Sequence, residues 1–517
     1  TVTLASSTSP FEVLAGGKRH ASSRGHVSHD VSLTLVPEEG QWLPIEIRLA
    51  HPGGADVALT AHWSTSEDRR HRTFPIRRLL MPWAKPGAST GLYIPSRPEI
   101  RGGDWARGKR LFFGDKALCS TCHQRDGAGT HIGPDLSALP YRDYASVLHD
   151  IRNPSASINP DYPTQAIELD DGRKLIGVPL EQADGNVRIG IASGASLPVK
   201  KAQIVAAEPV ATSLMPAGLD ASLDPAELRD LMTFLLTAAP VMRDYATLPR
   251  DGVDHLPPAR TRAELDAILG GAPEPPLPTG AIRVTLVAGQ KDHGFGEHDY
   301  PRWQQVWGRL LSLAEDLEVS TAWQWPSPSQ WADSDVLVFF KRGNWDPEYS
   351  DQLQRYIEGG GGAVFIHWAC EAGENASALA DTIGLASNSR LTKYRHGLID
   401  LRFDGGREHP ITRGFATTRF HDESYWALVG DTSQQQTLAT ATEAGENRSL
   451  FWVRESKPSP GPGSGTAGRI FVSIPGHYSW TFDDPLFRAL LLRGIAWTAH
   501  EPVDRFNHLI EAGVDVR

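Results

Sequence analysis

At 517 residues the chain exceeds what one hydrophobic core usually organises, and its 40% apolar and 22% charged residues are those of globular protein divided into about two to four domains. A net charge of −11 without any run of Lys or Arg excludes nucleic-acid phosphates and anionic membrane surfaces as natural partners. No stretch approaches the ~18 apolar residues of a transmembrane helix, and three cysteines cannot form a disulfide framework. Because the chain opens on Thr1 with no initiator Met, removal of something upstream is expected, either a secretion signal or part of a longer polypeptide.

Residues 1–100 alternate apolar and polar side chains at Val31, Leu33 and Leu35, at Leu43, Ile45, Ile47 and Leu49, and at Val57, Leu59, Ala61 and Trp63. That period of two predicts a half-buried antiparallel, β-sandwich-like piece. The pieces "LPIEIRL" and "LTAHWST" resemble the closing strands of PA14-type β-sandwich domains.

Over 101–245 helices bracket an inserted β region, which predicts a mostly α domain. The first helix is "DWARGKRLFFG". The last is "DPAELRDLMTFLLTA", in which Asp224 caps, Pro225 takes the first helical position and Glu227 completes a capping box. Its positions Leu228, Leu231, Met232 and Leu235 fall on one face. Between the two, "QAIELDDGRKLIGVPL" reads as a hairpin around Asp171 and Gly172. Residues 246–279, ending in "GGAPEPPLPTG", read as a Pro/Gly-rich linker. From 280 to 500 the buried-type strands "IRVTLVAG", "VLVFF", "AVFIHWA" and "RIFVSIPG" alternate with helices, the pattern of a parallel α/β sheet of flavodoxin-like type. Residues 501–517 read as a tail.

The first chemistry lies in "CSTCH". Two thiols separated by two residues, Cys119 and Cys122, can add to the two vinyl groups of a haem, and His123 directly behind them reaches the iron. A structural zinc site wants a second Cys pair, but the remaining cysteine, Cys370, lies in another domain. A thioredoxin-like dithiol needs a preceding βαβ strand that this segment lacks. For a sixth ligand, Met215 in "TSLMPAGL" sits in a loop before the last helix and followed by Pro216. His131 is the alternative. Met232 reads as core, Met81 precedes the domain and Met242 follows its last helix.

The order "GKRLFFGDKALCSTCH", "GTHIGPDLS", "IRNPSASINPDYPTQAIELDDGRKLIGV" and "SLMPAGL" resembles the class I c-type cytochrome domains attached to many secreted proteins of planctomycete-type bacteria. The resemblance implies one covalent haem c on Cys119 and Cys122, iron ligated by His123 and Met215, and Pro134 packed near the proximal histidine. It further implies an extracytoplasmic or periplasmic home and a redox partner protein.

In a parallel α/β sheet, ligands sit beyond the carboxyl ends of the strands. His293 and His298 follow "VTLVAG", His367 ends "AVFI" and His477 follows "IFVSIPG", so three strand ends bring imidazoles to one rim. Asp422 and Glu423 in "HDESYW" add carboxylates, and eleven of the fifteen Trp lie beyond residue 280. Aromatic faces beside polar groups suit a sugar. The stretches "KDHGFGEHDY", "GGGGAVFIHWA", "HPITRGF", "FHDESYW" and "GRIFVSIPGHYSWTFDDPLFRALLLRGIAW" resemble the ThuA-like family, relatives of class I glutamine amidotransferases named from trehalose utilisation. Amidotransferases carry a nucleophilic Cys where this chain has His367, so Cys370 is expected to be an inert buried thiol.

The expected function is an extracytoplasmic monohaem cytochrome c in electron transfer, fused to a ThuA-like domain that binds or processes a carbohydrate of keto-sugar type. His367, His293, His298, Glu423 and His477 are the candidate catalytic residues. Two alternatives stay open: non-catalytic modules that dock the cytochrome beside a separate sugar dehydrogenase, and a metal-dependent sugar isomerase or hydrolase with an auxiliary haem, its metal held by several of these His with Glu423.

Overall fold

The computed structural model describes residues 1–6, 10–15, 18–24, 29–34, 45–49, 59–64, 72–73, 97–156, 158–159, 161–181, 186–242, 257–271, 280–294, 296–406, 408–456 and 466–517. They fall into two units, Thr1–Thr90 and Gly91–Arg517.

In the first unit two small antiparallel sheets share one core. One sheet has the order Ser23–Arg24, His29–Leu33, Val2–Ser6, Leu59–Trp63, Arg72–Thr73, and the other Lys18–Ala21, Phe11–Ala15, Ile45–Leu49. Leu4, Val31 and Leu33 of the first meet Phe11, Val13 and Ala15 of the second. The expected strands form at His29–Leu33, Ile45–Leu49 and Leu59–Trp63, but Ile45 and Ile47 are each 39% exposed, because Phe11, Val13 and Ala15 of the neighbouring strand fill that core. Leu35, Leu43, Val57 and Met81 lie outside the described residues.

The second unit begins with α1 (Trp105–Phe113), capped by Asp104, whose side chain accepts from the Arg107 N–H. After α2 (Tyr144–Arg152) comes an antiparallel sheet of order Ser196–Lys200, Asn186–Gly190, Lys174–Glu181, Gln165–Leu169, Ile204–Pro209. Its first hairpin turns through Asp171 and Gly172, with Gly172 at φ 84°. Next, α3 (Pro225–Leu236) starts on the expected capping box of Asp224 and Glu227. Among its described residues the segment is not mostly helical: its α-helices have 9, 9 and 12 residues, against strands of 5, 8, 5, 5 and 6 in the sheet and two more of 2 residues each. The alternating stretch between the helices therefore builds a whole sheet rather than one hairpin. Helices α1 and α3 pack directly, with Trp105 edge-on to Phe234 at 4.9 Å and Arg107 Nε donating to Asp230 Oδ2 at 2.6 Å.

This segment shares a continuous core with the rest of the unit. Gly102 N–H donates to Leu313 O at 2.7 Å, and Met242 N–H to Asp483 Oδ1 at 2.8 Å. Inside the stretch read as a linker, α4 (Arg262–Leu269) buries Leu265 and Ile268. The cause is a second capping box, Thr261 with Glu264, set in a gap between the Pro-rich flanks. The expected tail is packed as well: Phe506, Leu509, Ile510 and Ala512 are fully buried, and Arg517 exchanges backbone hydrogen bonds with Arg260 and Arg262.

The C-terminal sheet contains β1 (Ile282–Ala288), β2 (Leu317–Trp323), β3 (Val336–Phe340) and β4 (Gly362–Ile366). A separate antiparallel ribbon pairs β5 (Lys393–Leu401) with β6 (Thr418–Trp426). Strands β7 (Gln436–Glu443), β8 (Glu446–Glu455) and β9 (Arg469–Ser473) complete the sheet in the order β2-β1-β3-β4-β9-β8-β7. The first five of that order run parallel, and β8 and β7 turn antiparallel. Every residue of β3 and β4 is buried, as strands covered on both faces must be. The crossovers are α5 (Tyr300–Leu311), α6 (Pro328–Asp333) and α7 (Pro347–Glu358); α8 (Ala376–Ile383) follows β4 and α9 (Pro485–Thr498) follows β9. Because β2 and β3 flank β1 on opposite sides, the connections diverge there and leave a crevice beyond the carboxyl ends. No helix among the described residues is long and apolar enough to cross a membrane.

Candidate active site

Four side chains converge on that crevice. His298 comes from the β1–α5 connection, His367 from the end of β4, His477 from the loop after β9, and Glu423 from the ribbon strand β6. All four are at most 5% exposed. The His298 ring lies 4.9 Å from His367 and 4.5 Å from His477, and the last two are 5.2 Å apart.

The hydrogen bonds fix which ring atoms face inward. His367 Nδ1–H donates to Ile474 O at 2.7 Å, since a carbonyl can only accept, and this leaves Nε2 bare toward the centre. The Tyr425 hydroxyl lies 3.0 Å from that Nε2. His477 Nδ1 is 2.9 Å from Glu423 Oε2, while His367 Nε2 is 3.1 Å from the same oxygen and 3.2 Å from His477 Nδ1. His298 shares its Nδ1–H between Asp292 Oδ1 at 3.0 Å and the Tyr300 oxygen at 2.8 Å, and its buried Nε2 has no partner among the described residues.

Charge follows from these contacts. Burial pushes His298 down to about 3 against the opposing pull of Asp292, so it is neutral. Burial also works against charge on His477, but Glu297 and Glu423 outweigh it and raise the ring to about 9. Burial would raise Glu423, yet the imidazoles of His367 and His477 hold it well below the usual carboxylate range. Asp292, likewise opposed by burial, is brought to about 2 by His298 and His293.

The donor atoms of His298, His367, Glu423 and His477 all lie within 4.8 Å of one another. Tetrahedral zinc with bonds of about 2.0–2.1 Å places its ligand atoms about 3.3 Å apart, close to the 2.9–3.2 Å seen here among three of them. The outer partners suit the same purpose: a carbonyl behind His367 and a carboxylate behind His298 fix tautomers that present a lone pair inward.

Not every expected residue joins the quartet. His293 is tied through Nδ1 to Asp292 at 2.9 Å, and its side chain remains 33% exposed. Asp422 does not face the centre: it accepts from the N–H groups of Glu423, Gly476 and His477 and from the Thr481 hydroxyl, and so shapes the loop that carries His477. Cys370 is fully buried, its thiol pushed up to about 12 by burial, and its Sγ–H donates to His367 O at 3.2 Å. Gly476 permits the approach of that loop, for at φ 137° a Cβ there would lie 2.7 Å from Ile366 Cγ2.

Tyr425, Asp292 and His396 are neighbours of the quartet that the strand-end rule does not reach. His396 Nε2 lies 3.5 Å from Glu423 Oε1, and its Nδ1 is 2.9 Å from the Tyr478 hydroxyl. Trp368 adds an aromatic face with its ring 5.1 Å from those of His293 and His298.

In the first segment of the unit, Cys119 and Cys122 are free and partly buried. His123 Nδ1–H donates to Pro134 O at 2.8 Å, which leaves Nε2 as its unprotonated atom. Burial lowers the affinity of His123 for a second proton. Gly133 is required beside this ring, because a Cβ there would lie 2.8 Å from His123 Cε1. Met215 is half-buried, its N–H donating to Ser213 Oγ at 3.2 Å. His131 is exposed, with Nε2 3.0 Å from the Tyr162 hydroxyl. Met232 is fully buried in the core.

A family comparison agrees with the C-terminal architecture: residues 284–498 match the ThuA model, described as trehalose utilisation, and form a ThuA-like domain. Among solved structures, the chain is similar to a putative ThuA-like protein from Parabacteroides merdae, with 20% identity and a TM-score of 0.33, over 42% of this chain and 90% of that one. It is also similar to a putative ThuA-like protein from Bacteroides uniformis, with 14% identity and a TM-score of 0.34, over 43% and 93% respectively. No curated protein matches the chain.

Proposed function

We propose that the ThuA-like domain binds and transforms a carbohydrate of keto-sugar type at a divalent-metal centre built by His298, His367, Glu423 and His477. The reading rests on one observation: three imidazoles and a carboxylate converge in a buried crevice with donor atoms within 4.8 Å, and the Nε2 of His298 has no partner among the described residues. A group that costs about 1–3 kcal/mol to bury unpaired persists where a ligand completes it. When bound, a divalent cation acts as a Lewis acid toward a carbonyl or hydroxyl oxygen. The remaining residues orient and shield. Ile474 O and Asp292 hold the imidazoles in their tautomers, Tyr425 stands by the inner nitrogen of His367, and Trp368 offers a face to sugar C–H groups.

Residues 101–245 are proposed to carry one haem c, joined through Cys119 and Cys122, with His123 and Met215 toward the iron, in an extracytoplasmic setting beside a redox partner protein. Haem supplies one-electron chemistry. The reading is supported by the CSTCH run and by a His123 whose Nδ1–H is occupied by Pro134 O, which presents Nε2 to a metal.

The test uses the full chain isolated with its natural cofactors. Zinc-loaded and chelator-stripped samples are incubated with a keto-sugar, and conversion is followed by NMR; denatured protein is assayed for pyridine haemochrome. Conversion is expected with metal, and loss of it on stripping or with His367→Ala. Conversion that persists in the stripped protein removes the metal centre, and an absent haemochrome removes the cytochrome.

A further inference from the structure

The hydroxyl of Tyr425 lies among the donor atoms of the quartet. Tyr425 stands two residues after Glu423 on β6, and alternation along a strand puts both side chains on the face that meets the crevice. Its oxygen is 3.0 Å from His367 Nε2 and 3.4 Å from Glu423 Oε2, its hydrogen-bond partners among the described residues. That places it as near to His367 Nε2 as Glu423 Oε2 and His477 Nδ1 are, at 3.1 and 3.2 Å. Tyr425 is buried, and its ring is tilted 30° to that of His367 with 4.9 Å between centroids. Tyr300 provides the contrast: its hydroxyl meets His298 at Nδ1, the outer nitrogen that also faces Asp292, whereas Tyr425 meets an inner nitrogen.

Because Ile474 O holds the Nδ1–H of His367, Nε2 offers a lone pair, and before a metal binds the Tyr425 O–H donates to it. A cation at the quartet takes that lone pair. The hydroxyl then keeps one acceptor, Glu423 Oε2 at 3.4 Å, which is longer than the usual ~2.5–3.0 Å of an O–H···O bond. Its own lone pairs are left beside the ion. The spacing suits them: a five-coordinate shell with bonds of about 2.1 Å sets neighbouring ligand atoms about 3.0–3.6 Å apart, and both contacts of the phenolic oxygen fall in that range.

We infer that Tyr425 is a fifth ligand of the metal centre, so that one ribbon strand supplies two oxygen donors, Glu423 and Tyr425, beside the imidazoles of His298, His367 and His477. The inference rests on the metal centre proposed at the quartet and adds to it a residue and a coordination number. As the bond from the phenolic oxygen to the cation forms, the phenol hydrogen leaves to water. The ribbon, which lies outside the main sheet, is then tied to the strand ends of that sheet through two ligands two residues apart.

Crystals of the zinc-loaded full chain, with diffraction data collected at the zinc edge, test this. The ion is expected on the four residues of the quartet with the Tyr425 oxygen about 2.0–2.2 Å from it. An ion on the quartet with that oxygen beyond about 3 Å, or with a water in its place, overturns the fifth ligand and leaves the metal centre standing. No ion on the quartet overturns the metal centre and the fifth ligand with it. In solution, chelator competition is expected to show Tyr425→Phe, which keeps the ring and its packing, binding zinc at least about tenfold more weakly than wild type. Unchanged zinc affinity in that variant overturns the ligand.

Discussion

Replacing Asp292 by Asn leaves all four candidate metal ligands in place and removes only the carboxylate behind His298. Asp292 Oδ1 sits 3.0 Å from His298 Nδ1 and 2.9 Å from His293 Nδ1, so its loss frees the His298 ring to rotate and to exchange tautomers. Loss of such a partner typically weakens metal binding about 10–100-fold. With free zinc at about 100 times the wild-type Kd, mass action stabilises the native state by about 2.7 kcal/mol. At that same zinc concentration the variant sits at about 1–10 times its own Kd, and the zinc-dependent stabilisation falls to about 0.4–1.4 kcal/mol. The assay is urea unfolding of each protein with zinc and with chelator. Comparing the two conditions within each variant cancels any effect of the substitution on the metal-free fold. Equal zinc-dependent stabilisation in wild type and Asp292→Asn refutes the assignment of Asp292, and no zinc dependence in wild type refutes the metal centre itself.

Lys341 supplies a pH prediction. Burial brings its ammonium down to about 7 from 10.5, while its Nζ donates to Gly343 O at 2.6 Å and lies 3.8 Å from the Trp325 ring, a contact that favours the charge but is outweighed. The unfolded chain therefore holds more protons than the native chain between about pH 7 and 10.5, so stability rises with pH across that window. Below it the penalty of the buried charge is fully present, and the shift corresponds to about 5 kcal/mol at most. Urea unfolding at pH 7 and pH 10 is expected to show wild type gaining several kcal/mol relative to Lys341→Met; parallel profiles refute it. At the other end of the unit, Asp224→Ala breaks the capping box of α3 and is expected to cost about 1 kcal/mol, read from the same urea midpoints.

Some of this architecture is written in local patterns and some only in pairings between distant residues. The capping box at Asp224 and Glu227 and the apolar runs of β3 and β4 are short-range signals, and each appears where its pattern lies. His298, His367 and His477 follow from one rule, that parallel strands end on a common edge. Glu423 arrives differently, on an antiparallel ribbon outside the main sheet, and His396 joins it only because the register sets the two opposite each other. No spacing in the chain encodes that pairing. Helix α4 has a related origin: Pro and Gly dominate the composition of 246–279, whereas the capping box from Thr261 to Glu264 starts the helix Arg262–Leu269 within it. Ile45 and Ile47 carry the alternation of a core strand, but the core of a two-sheet unit has room for only part of the apolar set.

The backbone adds an argument that side chains alone do not make. Of the four residues in the quartet, His298 and His367 adopt φ 43° and 56°, the left-handed region that costs a non-glycine residue about 1–2 kcal/mol. Neither position is a free turn where glycine would serve as well, because each side chain is fully enclosed and hydrogen-bonded on its outer nitrogen. Relaxing either backbone would swing an imidazole out of the quartet, and at His367 it would also remove the 3.1 Å contact with Glu423 Oε2. The strain is sustained by the surrounding packing, with Ile474, Gly476 and Asp422 fixing one wall and Asp292 with Tyr300 the other. Positive φ also occurs at exposed turn positions such as Asp316 and Ala444, but at His298 and His367 it falls on buried imidazoles whose outer nitrogens are hydrogen-bonded, so there the backbone conformation sets the direction of the ring.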